Sequence, residues 1–303
     1  MGLAASLRIA VTGASGFVGR ALATDLRTAG HTAIALVRRG AGAPDTAAWD
    51  PATGDLDERA LGAVDAVVHL AGENVAGGRW SAARKRAIAA SRGPATERLC
   101  RRLAALARPP RVIVAASAIG IYGDRGDEVL DEASADGQGF LAEVARAWEA
   151  GPRPAADAGI RVVNLRIGLV LDRDGGALAR MRLPFRLGLG GRLGSGRQWM
   201  SWITRADLVR AIGFAIAEGS LRGPVLATSP QPVDNRAFTA ALGRALHRPT
   251  VLPVPAFVLR LALGEMATML LASQRCAPRR LLDAGFAFAH PTLDEALGAA
   301  LRS

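Results

Sequence analysis

The 303 residues, half of them hydrophobic, suffice for one large α/β domain or two coupled ones around a substantial core. The formal net charge of +11 comes almost wholly from scattered arginines, Lys85 being the single lysine. With few aromatics and no basic block, this reads as solvated charge and compositional bias and argues against a nucleic-acid partner.

In chain order, the β-branched run Ile9 to Val11 forms a first strand and meets glycines at 13, 16 and 19. Gly13 permits a tight turn, Gly16 lets the backbone approach a phosphate, and Gly19 lets a helix pack on the strand. Free N–H groups at the start of the helix Phe17 to Ala29 would face an anion. Thr32 to Val37 is the second strand and ends in Arg38-Arg39. An NAD site usually carries a carboxylate here for the ribose hydroxyls, whereas two guanidiniums suit the 2′-phosphate of NADP. A short third strand ends at Trp49-Asp50-Pro51. The fourth, Asp65 to Leu70, is apolar throughout, as for a strand covered on both faces, and makes His69 a satisfied core histidine. Trp80 to Ala107 carries one long helical pattern, and Arg111 to Ser117 is the fifth strand. A loop rich in Asp and Glu runs from Asp124 to Asp136, and its Asp131 and Glu132 read as solvated rather than as substitute acids. A helix then runs from about Gly139 to Ala158, followed by a sixth strand, Arg161 to Leu165.

Glycine-rich sequence from Gly175 to Trp202 reads as a long loop and a substrate-side lid or wall, with Phe185, Trp199 and Trp202 in core or pocket wall. Asp207 to Ala217 is helical, Pro224 to Thr228 a strand, and the rest mainly helical. Alternating strands and helices imply a Rossmann-type, doubly wound parallel sheet with a smaller, mainly helical C-terminal substrate lobe. The expected division is 1–170 for the NADP-binding core, with parts of 200–230 completing its sheet, and 171–303 for the lobe. Right-handed crossovers would gather Ser15, Ala71 and Ser117 around one crevice. The apolar stretch Val251 to Ala272 is broken by Pro253, Pro255, Arg260 and Glu265, so no membrane span is expected. Cys100 and Cys276 stand alone, with no signal-peptide pattern at the N-terminus. A reduced cytoplasm fits, without a disulfide framework or a metal site.

The series Thr12-Gly-Ala-Ser-Gly-Phe-Val-Gly19, His69-Leu-Ala-Gly72, Ser117 to Gly123 and Leu165-Arg166 resembles the extended short-chain dehydrogenase/reductase superfamily, epimerase/dehydratase type. Trp49-Asp-Pro51, Ser91-Arg92, Trp148-Glu149, Leu183 to Gly191, Gly194 to Gln198, Trp202-Ile203, Gly264-Glu265 and Gln274-Arg275 resemble an atypical branch of epimerase family proteins. The resemblance spans the whole chain. It implies NADP contacts at Gly13, Ser15, Gly16, Phe17 and Val18, at Arg38, at Leu70 and Ala71, at Arg92 and at Val170.

Such enzymes use a Tyr-x-x-x-Lys dyad to move a proton while hydride moves at the nicotinamide. The slot falls at Phe140-Leu-Ala-Glu-Val144, and the only tyrosine, Tyr122, follows the only lysine, so the dyad is absent. Ser117 occupies the serine position of the resemblance. Tyr122 is the first candidate for a substitute acid, with a packed wall residue as its plainer reading. Glu73 either sees the nicotinamide or caps a loop. Thr204 stands where many relatives of the branch have histidine, which weakens an imidazole mechanism. The expectation is an NADP-dependent oxidoreductase or epimerase-like protein for a small carbonyl or alcohol; the alternative is an NADPH-binding sensor. Phe257 to Leu271 either closes the substrate region or meets a partner or second subunit, such as a homodimer.

Overall fold

The computed structural model describes residues 6–38 and 42–302. At its centre, β1 (Arg8–Thr12), β2 (Thr32–Val37), β3 (Thr46–Ala48), β4 (Ala66–His69), β5 (Val112–Ala118), β6 (Arg161–Ile167) and β7 (Gly223–Ala227) form one parallel sheet. Their order is β7-β6-β5-β4-β1-β2-β3. The principal helices are α1 (Phe17–Thr28), α2 (Ala82–Ala90), α3 (Gly93–Ala104), α4 (Phe140–Ala150), α5 (Gly176–Arg186), α6 (Arg205–Ala217), α7 (Asn235–Leu246), α8 (Ala256–Leu263) and α9 (Leu293–Arg302).

The strands are apolar on both faces because both are covered. Ile9, Val11, Val68, Val114 and Leu165 pack with Leu22 of α1 and Leu208 and Ile212 of α6. Ala10, Ile34, Val67 and Ile113 pack on the other side with Leu99 and Leu103 of α3. Strand order reverses between β1 and β4, and this switch point opens a crevice beyond their carboxyl ends.

Three element expectations change. The pattern from 80 to 107 is two helices, not one. Pro94 sits in the first turn of α3, and the preceding Arg92 has φ −111° and ψ −92°, off helical geometry. The 139–158 helix likewise stops at Ala150, with a short turn of helix, Arg153–Asp157, after Gly151-Pro152. A Cβ at Gly151 would lie 2.8 Å from the Thr96 side chain, so glycine there lets α4 approach α3 closely. The glycine-rich segment after Gly175 holds α5 and a short strand, Trp199–Met200, antiparallel to Val233–Asp234. Leu178 and Phe185 are buried with Trp202, Phe238, Leu242 and Leu297 in a second core, which organises sequence whose glycines had suggested a loop.

Glu132 overturns its solvated reading. It is buried, and its Oε1 accepts from Leu226 N in β7 at 3.0 Å and from Arg280 N at 3.3 Å. Cys100 and Cys276 are free and buried, and burial pushes both thiols up to about 12. Among the described residues no helix is long and apolar enough to cross a membrane.

Candidate functional site

Gly13 has φ +68°, and a Cβ there would lie 3.0 Å from the backbone of Leu70 and Ala71. Gly16 N–H donates to Gly13 O at 2.9 Å and closes the turn. At Gly19 an added Cβ would come within 2.1 Å of Gly13 O, so β1 and α1 meet backbone to backbone. Gly16 is the N-cap of α1 and supplies no side-chain cap. The first N–H groups of the helix therefore open into the crevice, with the positive end of the dipole behind them. Ser15 and Gly16 are exposed at this mouth, and Phe17 and Val18 half-buried.

The opposite rim is held by Thr12. Its Oγ1 accepts from Leu70 N at 3.0 Å and Ala71 N at 3.1 Å. Its own proton goes to His69 Nδ1 at 2.8 Å, which leaves Nε2–H to donate to Thr96 Oγ1 at 2.9 Å. His69 is fully buried, and burial lowers its pKa to about 4. It is a neutral core residue that ties β4 to β1 and α3. Sequence reading missed Thr12; its signal was a hydroxyl at the last position of β1.

Arg38 is exposed at the end of β2, and Arg39 lies outside the described residues. Behind Arg38 a cavity of about 250 Å³ is lined by Trp49, Asp50, Asp55, Leu56 and Asp57. The three carboxylates serve their own turns, accepting from Ala52 N, the Thr53 hydroxyl and Ala60 N. Arg92 lies beneath the crevice floor. It is buried, donates to Glu73 O at 3.0 Å and Ile88 O at 3.2 Å, and sits 4.7 Å over the Trp148 ring. Burial lowers its pKa to about 10, against the opposing charge of Glu73. Arg92 thus braces the loop after β4, as do Ser91 Oγ, which accepts from Glu73 N, and the exposed Glu73 side chain, 3.7 Å from Arg84. On the far wall Val170 lies opposite Ile203 in a short parallel strand pair, and Phe17 fills the space that Gly175 leaves open, under Arg205. A glycine turn, an uncapped helix start and the Arg38 guanidinium at the β2 end together fit the phosphates of a dinucleotide.

Ser117 and Tyr122 are joined, but beneath the surface. Ser117 is 2% exposed, and its hydroxyl donates to Glu149 Oε1 at 2.7 Å. Arg166 grips the same carboxylate with Nε at 2.8 Å and Nη2 at 2.9 Å, and its Nη1 donates to the Tyr122 hydroxyl at 2.8 Å. Tyr122, fully buried, donates in turn to Asp131 O at 2.8 Å. Burial raises the tyrosine pKa well above its ordinary value, although Arg166 opposes the shift. Both hydroxyls are buried and bonded within the fold. Ala118, next on the strand and half-exposed, carries only a methyl group.

The dyad slot is a packing surface. Val144 is buried with Trp80 and Ile88, and Phe140 packs with them and with Met266 and Met269 of the C-terminal region. Trp80 meets the Phe140 ring edge-on at 5.1 Å. Lys85 Nζ sits 4.8 Å from the Phe140 ring centroid and binds both oxygens of Glu265 at 2.8 Å. This ammonium at the Phe140 ring went unnoticed in the sequence, where 180 residues separate Lys85 from Glu265. Thr204 is the N-cap of α6, its hydroxyl accepting from Asp207 N, and an imidazole does come near it: His290 Nδ1 lies 3.5 Å from Thr204 Oγ1.

The model of the NAD dependent epimerase/dehydratase family matches residues 9–224, and a domain of unknown function, DUF1731, matches 254–300. The chain is 48% identical to the epimerase family protein Mb2239 of Mycobacterium bovis over 96% of each chain. It is 36% identical to YfhF of Bacillus subtilis, over 96% of this chain and 97% of that one. The crystal structure of human epimerase family protein SDR39U1 (isoform 2) with NADPH superposes with a TM-score of 0.90 at 33% identity, covering 98% of this chain and all of that one. Fold, glycine cradle and sequence similarity agree: the chain belongs to the NAD dependent epimerase/dehydratase family.

Proposed function

We propose that this protein binds NADP(H) and acts as an oxidoreductase or epimerase-like enzyme on a small carbonyl or alcohol. The observation that carries the reading is the uncapped α1 N-terminus over the Gly13–Gly19 turn, with Arg38 and no carboxylate ending β2. Gly13, Ser15, Gly16, Phe17 and Val18 would hold the pyrophosphate and Arg38 the 2′-phosphate. Leu70, Ala71 and Val170 would line the walls, and Arg92 would support the floor. Bound NADP(H) would supply or accept hydride at its nicotinamide.

The chain must then manage the proton without a Tyr–Lys dyad. We assign that task to Lys85, the ionisable group beside Phe140. Its ammonium would hydrogen-bond the substrate oxygen and give it a proton as negative charge develops there; Glu265 holds the ammonium in place. In the reverse direction the neutral amine would take the proton back.

Arg38→Ala is expected to weaken NADPH binding about tenfold or more and leave NADH binding nearly unchanged, read by fluorescence titration. Equal effects on both cofactors would remove Arg38 from the 2′-phosphate. In a carbonyl panel with NADPH, Lys85→Met should abolish turnover with cofactor affinity retained, and Lys85→Arg should keep part of it. Undiminished turnover in Lys85→Met would sink its role as the acid. One observation favours a second reading, an NADPH-binding sensor without chemistry: the Ser117 and Tyr122 hydroxyls are both engaged inside the fold. No turnover across the panel, with tight NADPH binding and partner capture that depends on NADPH, would select it.

A further inference from the structure

The arginines are spread along the chain, but the carboxylates are not. No Asp or Glu occurs from 175 to 206, which carries six arginines, or from 235 to 264, which carries four. These two stretches therefore account for nearly all of the formal net charge of +11. They also carry exposed apolar side chains. Among the described residues, all but two of the exposed large hydrophobic side chains (Val129 and Leu282) fall within 183–189 and 251–261.

Folding brings the two stretches side by side. Leu193 and Val254 form a parallel bridge, Gly194 N donates to Val254 O at 2.8 Å, and Arg248 Nε donates to Arg186 O at 2.9 Å. Leu259 is the only buried residue of α8, while Phe257 is 69% and Leu261 76% exposed. Phe257, Arg260 and Leu261 share one helical face by their i, i+3, i+4 spacing, and Leu183, Arg186 and Leu187 repeat the arrangement at the end of α5. Arg186, Arg248 and Arg260 are exposed.

An apolar surface of this kind needs a cover, and the charge selects it. A second copy docked on the same face would set these arginines against each other with no carboxylate from either stretch to offset them. A nucleic acid would be served by the guanidiniums and gain nothing from exposed leucine and phenylalanine. A bilayer with anionic headgroups meets both features: the apolar side chains enter the acyl boundary and the arginines sit among phosphates. With eight residues α8 is far too short to span, so contact lies in the interfacial plane. We infer that the face formed by 183–189 and 251–261 docks this protein on an anionic lipid surface.

The test is co-sedimentation of the full chain with vesicles of phosphatidylcholine alone and of phosphatidylcholine mixed with phosphatidylglycerol. Binding is expected only to the mixed vesicles and should weaken as salt rises. Arg260→Gln should lower the partition about fivefold, and Phe257→Ser with Leu261→Ser at least about tenfold. Leu282→Ser, an exposed apolar site elsewhere, should bind like the parent chain, and thermal melting monitors folding of each variant. Equal binding to both vesicles, no binding to either, or undiminished binding by the variants would overturn the inference. So would a dimer in sedimentation velocity that the Phe257 and Leu261 substitutions dissolve, or duplex DNA binding that those substitutions leave intact while vesicle binding is absent.

Discussion

Thr12 and His69 carry the crevice rim through one chain of hydrogen bonds, and that chain requires a neutral imidazole. With its pKa lowered from 6.5 to about 4 by burial, the folded form refuses a proton that the unfolded form accepts. Its contribution to stability is fully present above pH 6.5 and is lost as the pH falls toward about 4, with uptake of about one proton on unfolding. Urea unfolding across this window should show that slope, and His69→Gln should lack it. Two glycines give opposite predictions. Gly19→Ala would push a methyl group into the backbone at Gly13 and Ala14, so a loss of about 1–3 kcal/mol or more is expected, together with weaker NADPH binding. Gly213→Ala, in α6 with nothing within 4 Å, should raise stability by about 0.5–1 kcal/mol. Thermal melts of the pair decide both. The Gly13, Gly16 and Gly19 spacing was legible in the sequence because each glycine answers a local backbone demand. The Thr12–His69–Thr96 relay was not, because its members meet only when β1, β4 and α3 are packed.

Between elements, the pair Arg166–Glu149 joins β6 to α4, and Ser117 and Tyr122 attach β5 and the turn after it. The Arg166 and Glu149 side chains are 6% and 12% exposed, so removing one partner strands a charge with little water nearby. Glu149→Gln is expected to cost about 3 kcal/mol in urea unfolding, because Asp136, 3.9 Å from Arg166, compensates weakly. Ser117→Ala should cost about 1 kcal/mol, with NADPH affinity unchanged. A large loss of affinity in Ser117→Ala would return that hydroxyl to the cofactor side. Strand periodicity and apolar runs had located all seven strands of the sheet to within a few residues. Helix breaks were harder to read: the patterns over 80–107 and 139–158 continue past Arg92 and Gly151, where Pro94 opens α3 and the close contact of α4 with α3 leaves room only for glycine.

Across the whole molecule, the C-terminal residues are fastened to the core by buried carboxylates. Asp207, 1% exposed, accepts from Ala289 N at 2.7 Å and His290 N at 2.9 Å and pairs with Arg210. Asp207→Ala should release this tether, costing about 3 kcal/mol and raising amide hydrogen exchange from residue 289 onward. Unchanged protection there would show that α9 is held by its apolar face alone. The sequence by itself determined the parallel α/β sheet, the glycine cradle with Arg38, and the absence of a Tyr–Lys dyad, since each depends on residue type and local spacing. Only the tertiary structure decided that Ser117 and Tyr122 are bonded within the fold, that Lys85 meets Glu265 over Phe140, and that the segments around Leu193 and Val254 run side by side. Those outcomes depend on side-chain direction and on contacts between distant segments, which local spacing does not encode.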